Sequence, residues 1–117
     1  MFTIRGENVY PSEVDAVVNQ LDGYGGEHRI VITRDGAMDE LMVRIEASAE
    51  HAARGAAASA LLREEAVKKL QKLLGLRARV EIVAPGTFPR TDFKARRVID
   101  DREVFRDMNA RLAQPGA

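Results

Sequence analysis

A chain of 117 residues, 45% of them hydrophobic, fits one domain, and a domain of this size buries roughly 65% of its unfolded surface. With 18 Lys and Arg against 18 Asp and Glu, the formal net charge is zero, which argues against a dedicated nucleic-acid binder and its usual basic excess. The lack of cysteine excludes a disulfide framework, thiol catalysis and cysteine-based zinc sites; no apolar run reaches membrane-span length, and MFTIRGENVY is unlike a signal peptide, so a soluble, cytoplasmic protein is expected.

In chain order, Phe2 and Ile4 alternate with polar neighbours in a short strand that ends at Gly6. Pro11 suits the first turn of a helix, Glu13 and Asp15 favour its positive end, and Val14, Val17, Val18 and Leu21 form one apolar stripe. Gly23 is placed to end it. Ile30 and Ile32, then Met42 and, after a change of phase, Ile45, mark two strands. Asp35-Gly36 signals the turn between them, in a loop expected to exceed two residues.

A second helix follows, with Gly55 in the connection before it and Leu62, Ala66, Leu70, Leu73 and Leu74 as its stripe. Glu64–Lys68 and Glu65–Lys69 are four apart in the favourable order, and Gly75 marks the stop. Val80 and Ile82 belong to a last strand ended by Pro85-Gly86. Residues 103–117 are expected to form a short helix and a frayed tail. The order strand, helix, strand, strand, helix, strand predicts a single α+β domain of ferredoxin-like βαββαβ pattern, a small sheet with helices packed on it. That fold alone specifies no chemistry.

Most polar residues have a simple reading. His28 and His51 are expected to be exposed and structural, since they lie far apart in sequence and have no cysteine company, and no metal site is expected. Gly23 to Gly26 lacks the Lys-Ser/Thr of a phosphate loop and follows a helix where such a loop would open one. Asp39, Glu46 and Glu50 read as solvated charges, and Asp100 and Asp101 as holders of nearby arginines.

Two stretches carry more. IRGENVYPSEVD is over-specified for a mere strand-to-helix turn, and PGTFPRTDFKARRVIDDR sets Lys94 among arginines in a proline-punctuated loop. Together, from about Phe2 to Arg102, they resemble the C-terminal lid domain of AMP-forming acyl-CoA ligases, closest to the phenylacetate-CoA ligase type of aryl-acid:CoA ligase.

The resemblance implies that Lys94 is the catalytic lysine of ATP-dependent adenylation, with Arg90 and Thr91 in the loop that presents it. It implies that Arg5, Gly6, Glu7 and Asn8 form the loop that faces the active site when CoA forms the thioester. ATP and CoA are then substrates, with Mg expected on the ATP of the whole enzyme, and the partners are an N-terminal adenylation domain and an aryl acid. Phe93 departs from the pattern, which commonly has glycine before the lysine.

The phosphate loop and the acid pocket of such ligases are absent from this stretch, so the isolated chain is not expected to be active. It would act either as a piece cut from the ligase or as a separate subunit that supplies Lys94 in trans. Two alternatives stay open. One is a stand-alone ferredoxin-like module that binds or regulates through a small ligand. The other is an RNA or anion patch, with binding that weakens steeply as salt rises.

Overall fold

The computed structural model describes residues 1–36, 38–93 and 97–102. The chain opens with two short strands, β1 (Phe2–Ile4) and β2 (Glu7–Val9), paired antiparallel with Ile4 opposite Glu7. Arg5 and Gly6 make the turn with φ of 49° and 80°, the doubly left-handed conformation that matches the twist of a tight hairpin. Helix α1 (Pro11–Asn19) follows, with proline in its first turn and Val14, Val17 and Val18 buried.

Strands β3 (Tyr24–Asp35) and β4 (Met38–Ala47) form a long antiparallel hairpin in which Ile30 faces Val43 and Ile32 faces Leu41. Only positions 36 and 37 separate them, a shorter connection than the sequence predicts, because pairing continues through the polar residues as far as Asp35 and Met38. A short helix α2 (Ala49–Ala52), capped by Ser48, leads to α3 (Ala56–Leu74). Gly75 ends α3 in the left-handed conformation. Strands β5 (Arg79–Val83) and β6 (Val98–Asp100) complete a mixed sheet of order β5-β4-β3-β6, with β5 parallel to β4 and β6 parallel to β3.

The architecture is the expected α+β class, a small sheet with helices packed on it. Its strand inventory differs: β1 stands outside the main sheet, in its own two-stranded ribbon with β2, and β2 and β6 are additional to the four expected strands. The Arg5-Gly6 turn folds β1 back before it can reach β3, and β6, drawn from the basic stretch, takes the edge beside β3. Residues 103–117, where a final helix and tail are expected, lie outside the described residues.

One face of the sheet carries the core. Ile30, Ile32, Leu41, Val43 and Ile45 cluster with Val14, Val17 and Val18 of α1 and with Leu62, Ala66, Leu70 and Leu74 of α3. Burial of a leucine such as Leu70 contributes on the order of 2 kcal/mol. Leu73, expected in the stripe, is instead exposed, because it sits one position off the i, i+4 line of its buried neighbours. Among the described residues no helix is long and apolar enough to cross a membrane.

The hairpin is irregular at its entry. Pairing slips between Tyr24 and His28, a bulge that sets Gly25 hard against the backbone of β4. A methyl group at Gly25 would come within 2.6 Å of the Ala47 carbonyl oxygen. Gly25→Ala should therefore cost about 2 kcal/mol through forced backbone movement. Thermal unfolding should show a fall in Tm of roughly 10 °C, and an unchanged Tm would mean that the bulge is not tight.

Candidate functional site

The second face of the sheet is where charge is concentrated. On the β3–β4 hairpin it presents Glu27 and Arg29 from one strand and Arg44 and Glu46 from the other. Such a face is normally wet, yet Glu27 is 2% exposed and Glu46 fully buried. The chain between β5 and β6 covers them: residues 84–93 run across this face, and the two carboxylates receive their hydrogen bonds.

Glu46 takes the first half of the loop. Its Oε1 accepts from the Gly86 N–H at 2.9 Å and from Arg90 Nη2 at 2.9 Å, and its Oε2 accepts from the Phe88 N–H at 3.2 Å. Arg90 also donates through Nη1 to the carbonyl of Gly25 at 3.1 Å. Thr87 closes a turn on the carbonyl of Ala84 with both its N–H and its hydroxyl. Phe88 packs its ring against Arg29 and Arg44, whose guanidinium carbons lie 4.7 and 5.3 Å from its centroid. These arginines sit opposite each other across the strands, a repulsive pairing that the ring's negative face and the neighbouring carboxylates offset.

Glu27 takes the second half. Its Oε1 accepts from the Thr91 N–H at 2.9 Å, and its Oε2 from Arg29 Nη1 at 2.9 Å. Arg97 reaches both oxygens, through Nη2 and Nε at 3.3 Å each. Arg29 in turn donates through Nη2 to the carbonyl of Pro89. Burial alone would push the Glu27 carboxyl up, but the N–H of Thr91 and the guanidinium groups of Arg29 and Arg97 outweigh it and hold it at about 2. Glu27 is therefore an anion at neutral pH, and the loop is fastened by charge-assisted bonds.

Several expectations are corrected here. Glu46, read as a solvated charge, is buried and bonded to the loop. His28 and His51, read as exposed, are buried. His28 is bonded to Asp15 through Nε2 at 2.7 Å and to the Tyr24 hydroxyl through Nδ1 at 2.8 Å, so it pins α1 to β3. Burial lowers its pKa against the opposing pull of Asp15. His51 packs its ring against Gly23 and sets its Nε2 3.2 Å from the carbonyl of Ala58. Asp39, also read as solvated, is held by Arg34 at 2.8 Å and Arg102 at 2.7 Å. Asp100 does hold an arginine, Arg102, as expected, while Glu50 is exposed and pairs with Arg54. Among the described residues, no group of three or more histidines and carboxylates is placed to hold a metal ion.

The residues singled out in sequence fall in two places. Arg90 and Thr91 lie in the docked loop, and Lys94 lies outside the described residues. Phe93, which directly precedes it, is 66% exposed and donates its N–H to the Thr91 hydroxyl. Arg5, Gly6, Glu7 and Asn8 are all exposed on the β1–β2 hairpin. That hairpin is tied down by Arg5, which donates to the Arg77 carbonyl at 3.1 Å, and by Arg102, which donates to the Thr3 carbonyl at 3.1 Å. The carboxylates under the loop escape sequence reasoning, although Glu27 beside the Gly-Gly bulge offers a faint signal.

The chain matches the model of the AMP-binding enzyme C-terminal domain over residues 6–102. It is 30% identical to the phenylacetate-coenzyme A ligase of Thermus thermophilus, over 88% of this chain and 26% of that protein. Among solved structures, a 2-hydroxyisobutyryl-CoA ligase in complex with 2-HIB-AMP and CoA in the thioesterification state superposes over 96% of this chain. The TM-score is 0.84 and the identity 64%, and 23% of that ligase is covered. A solved domain of a phenylacetate-coenzyme A ligase from Bacteroides vulgatus gives a TM-score of 0.78 at 24% identity, over 87% of this chain and 92% of that one, and so shares the fold. The chain thus spans about a quarter of the length of the curated relatives it matches.

The pKa of Glu27 makes the docked loop sensitive to acid in a defined window. An unfolded glutamate takes up its proton near 4.5, the folded one only near 2, so falling pH favours the unfolded chain between those values. The stabilisation is complete above about 4.5 and is lost as pH falls toward 2. Denaturant titrations of the wild type and of Glu27→Gln should converge across that window, the variant following the shallower curve. Parallel curves would show that Glu27 is not held as an anion.

Proposed function

The chain belongs to the family of C-terminal domains of AMP-binding enzymes, and on that premise we propose that it is the lid of an AMP-forming acyl-CoA ligase. The observation that carries this reading is the 64% identity, over 96% of the chain, with a ligase held together with its acyl-adenylate and CoA. The rest of such an enzyme supplies the ATP and acid sites. This chain supplies groups that complete them, in two successive half-reactions.

In the first, a carboxylate oxygen of the acid attacks the α-phosphorus of ATP, the bond to pyrophosphate breaks, and pyrophosphate leaves with the electron pair. Negative charge builds on the phosphate oxygens, and the ammonium of Lys94 is suited to meet it in a closing, water-poor cleft. Arg90 and Thr91 hold the approach to Lys94, because their own positions are set by Glu46 and Glu27. Magnesium would ride on the ATP phosphates.

In the second half-reaction, the thiol of CoA gives up its proton, its sulfur attacks the acyl carbon of the adenylate, the acyl C–O bond to the phosphate breaks, and AMP departs with the electron pair. The β1–β2 hairpin, with Arg5, Gly6, Glu7 and Asn8 exposed at its tip, is the element offered to the pantetheine arm. Gly6 has nothing within 4 Å of where a side chain would start, so the backbone is open to close approach. The hairpin and the docked loop are anchored at different points of the fold, which suits a lid that turns one and then the other toward the same cleft.

The acid is selected outside this chain. Sequence motifs point to an aryl acid of the phenylacetate type, but 64% identity to the 2-hydroxyisobutyryl-CoA ligase against 30% to a phenylacetate ligase favours a small branched hydroxy acid.

The test is a ligase assembled from the remainder of the 2-hydroxyisobutyryl-CoA ligase and this chain. Lys94→Ala should lower adenylation on the order of 100-fold while thioester formation from preformed acyl-adenylate proceeds at the parent rate. Equal loss in both half-reactions would remove the assigned role of Lys94.

A further inference from the structure

Residues 92–96, which include Lys94, are bracketed by Thr91 and Arg97, and both brackets rest on one side chain. The Thr91 N–H and Arg97 Nη2 share Glu27 Oε1, at 2.9 and 3.3 Å, and Arg97 Nε holds Oε2 at 3.3 Å. Arg97 Nη2 also donates to the carbonyl of Thr91 at 3.3 Å, so the two brackets are joined directly as well as through the carboxylate. Arg29 fixes the carboxylate from its own strand at 2.9 Å.

We propose that Glu27 is a positioning residue for adenylation, a clamp that sets the separation of Thr91 and Arg97 and thereby aims the segment between them. The proposal rests on the ligase-lid reading and extends it to a residue buried on the sheet. The chemistry of the clamp is specific. A carboxylate can accept from Thr91, Arg29 and Arg97 together because both oxygens are acceptors. An amide of the same shape would keep one acceptor and turn an NH2 group toward guanidinium donors, so Glu27→Gln would release Arg97 with little change in volume.

Glu27 touches no substrate in this account, and its effect must pass through Lys94. A purely structural glutamate would slow both half-reactions when replaced. A clamp would slow adenylation alone, since the hairpin used for thioester formation is anchored elsewhere, on Arg77 and Arg102.

The experiment uses Glu27→Gln, Lys94→Ala and the double variant in the assembled ligase, with each half-reaction timed separately. Glu27→Gln should slow adenylation about 10- to 100-fold, the cost of a misplaced catalytic group, and leave thioester formation at the parent rate. The double variant should be no slower than Lys94→Ala, because two residues acting through one group are not additive. Trypsin should also cut the Glu27→Gln chain within 94–97 faster than the wild type. Parent-rate adenylation in Glu27→Gln, equal loss of both half-reactions, or fully additive losses would each overturn the proposal. A parent rate for Lys94→Ala would overturn the lysine reading and, with it, the role of Glu27 in adenylation. The trypsin result then separates the two failures: faster cutting leaves the clamp itself standing, and an unchanged cutting rate removes it too.

Discussion

The arrangement of this chain depends on two carboxylates buried on the face of a sheet that would otherwise be wet. Glu27 and Glu46 lie under a loop with no regular backbone pairing of its own, and they supply acceptors for three of its backbone N–H groups. Burying charge is costly unless partners are present on every side. Here the partners are Arg29, Arg90 and Arg97 together with the loop backbone, so the penalty is offset only while the loop is docked. Loop and carboxylates stabilise each other. Removing either leaves buried polar groups without acceptors or an anion without donors.

That mutual dependence explains why a charge-neutral chain concentrates its cations. The arginines of the C-terminal stretch are divided among tasks. Arg90 and Arg97 fasten the loop, and Arg102 joins β6 to Asp39 and to the carbonyl of Thr3. The charge that a nucleic-acid reading would assign to phosphates is thus committed within the fold at these three positions.

Much of the frame was legible because it follows from local periodicity. Pro11 with Val14, Val17 and Val18 marks α1, the Leu62-to-Leu74 spacing marks α3, and the alternation about Ile30 and Ile32 marks β3. What stayed hidden is long-range. Glu46 meets partners 40 to 44 residues away, and Glu27 meets Thr91 and Arg97 at separations of 64 and 70. A glutamate on a strand's second face reads as solvated until the covering loop is known. Strand β1 was legible, but its pairing with β2 escaped, because these strands are three residues long and their turn places a non-glycine, Arg5, at positive φ. The family, by contrast, was legible from residue identity and order in the two motifs, and the match over residues 6–102 bears it out, while Lys94 itself lies outside the described residues.

Whether this chain works as a ligase lid is decided by complementation. The chain would be mixed with a 2-hydroxyisobutyryl-CoA ligase lacking its own C-terminal domain, and ATP-dependent pyrophosphate release would be followed with 2-hydroxyisobutyrate and with phenylacetate. Release should be restored by the wild-type chain, with 2-hydroxyisobutyrate the better acid. Release no faster than that of the truncated ligase alone, with either acid, would contradict the lid role.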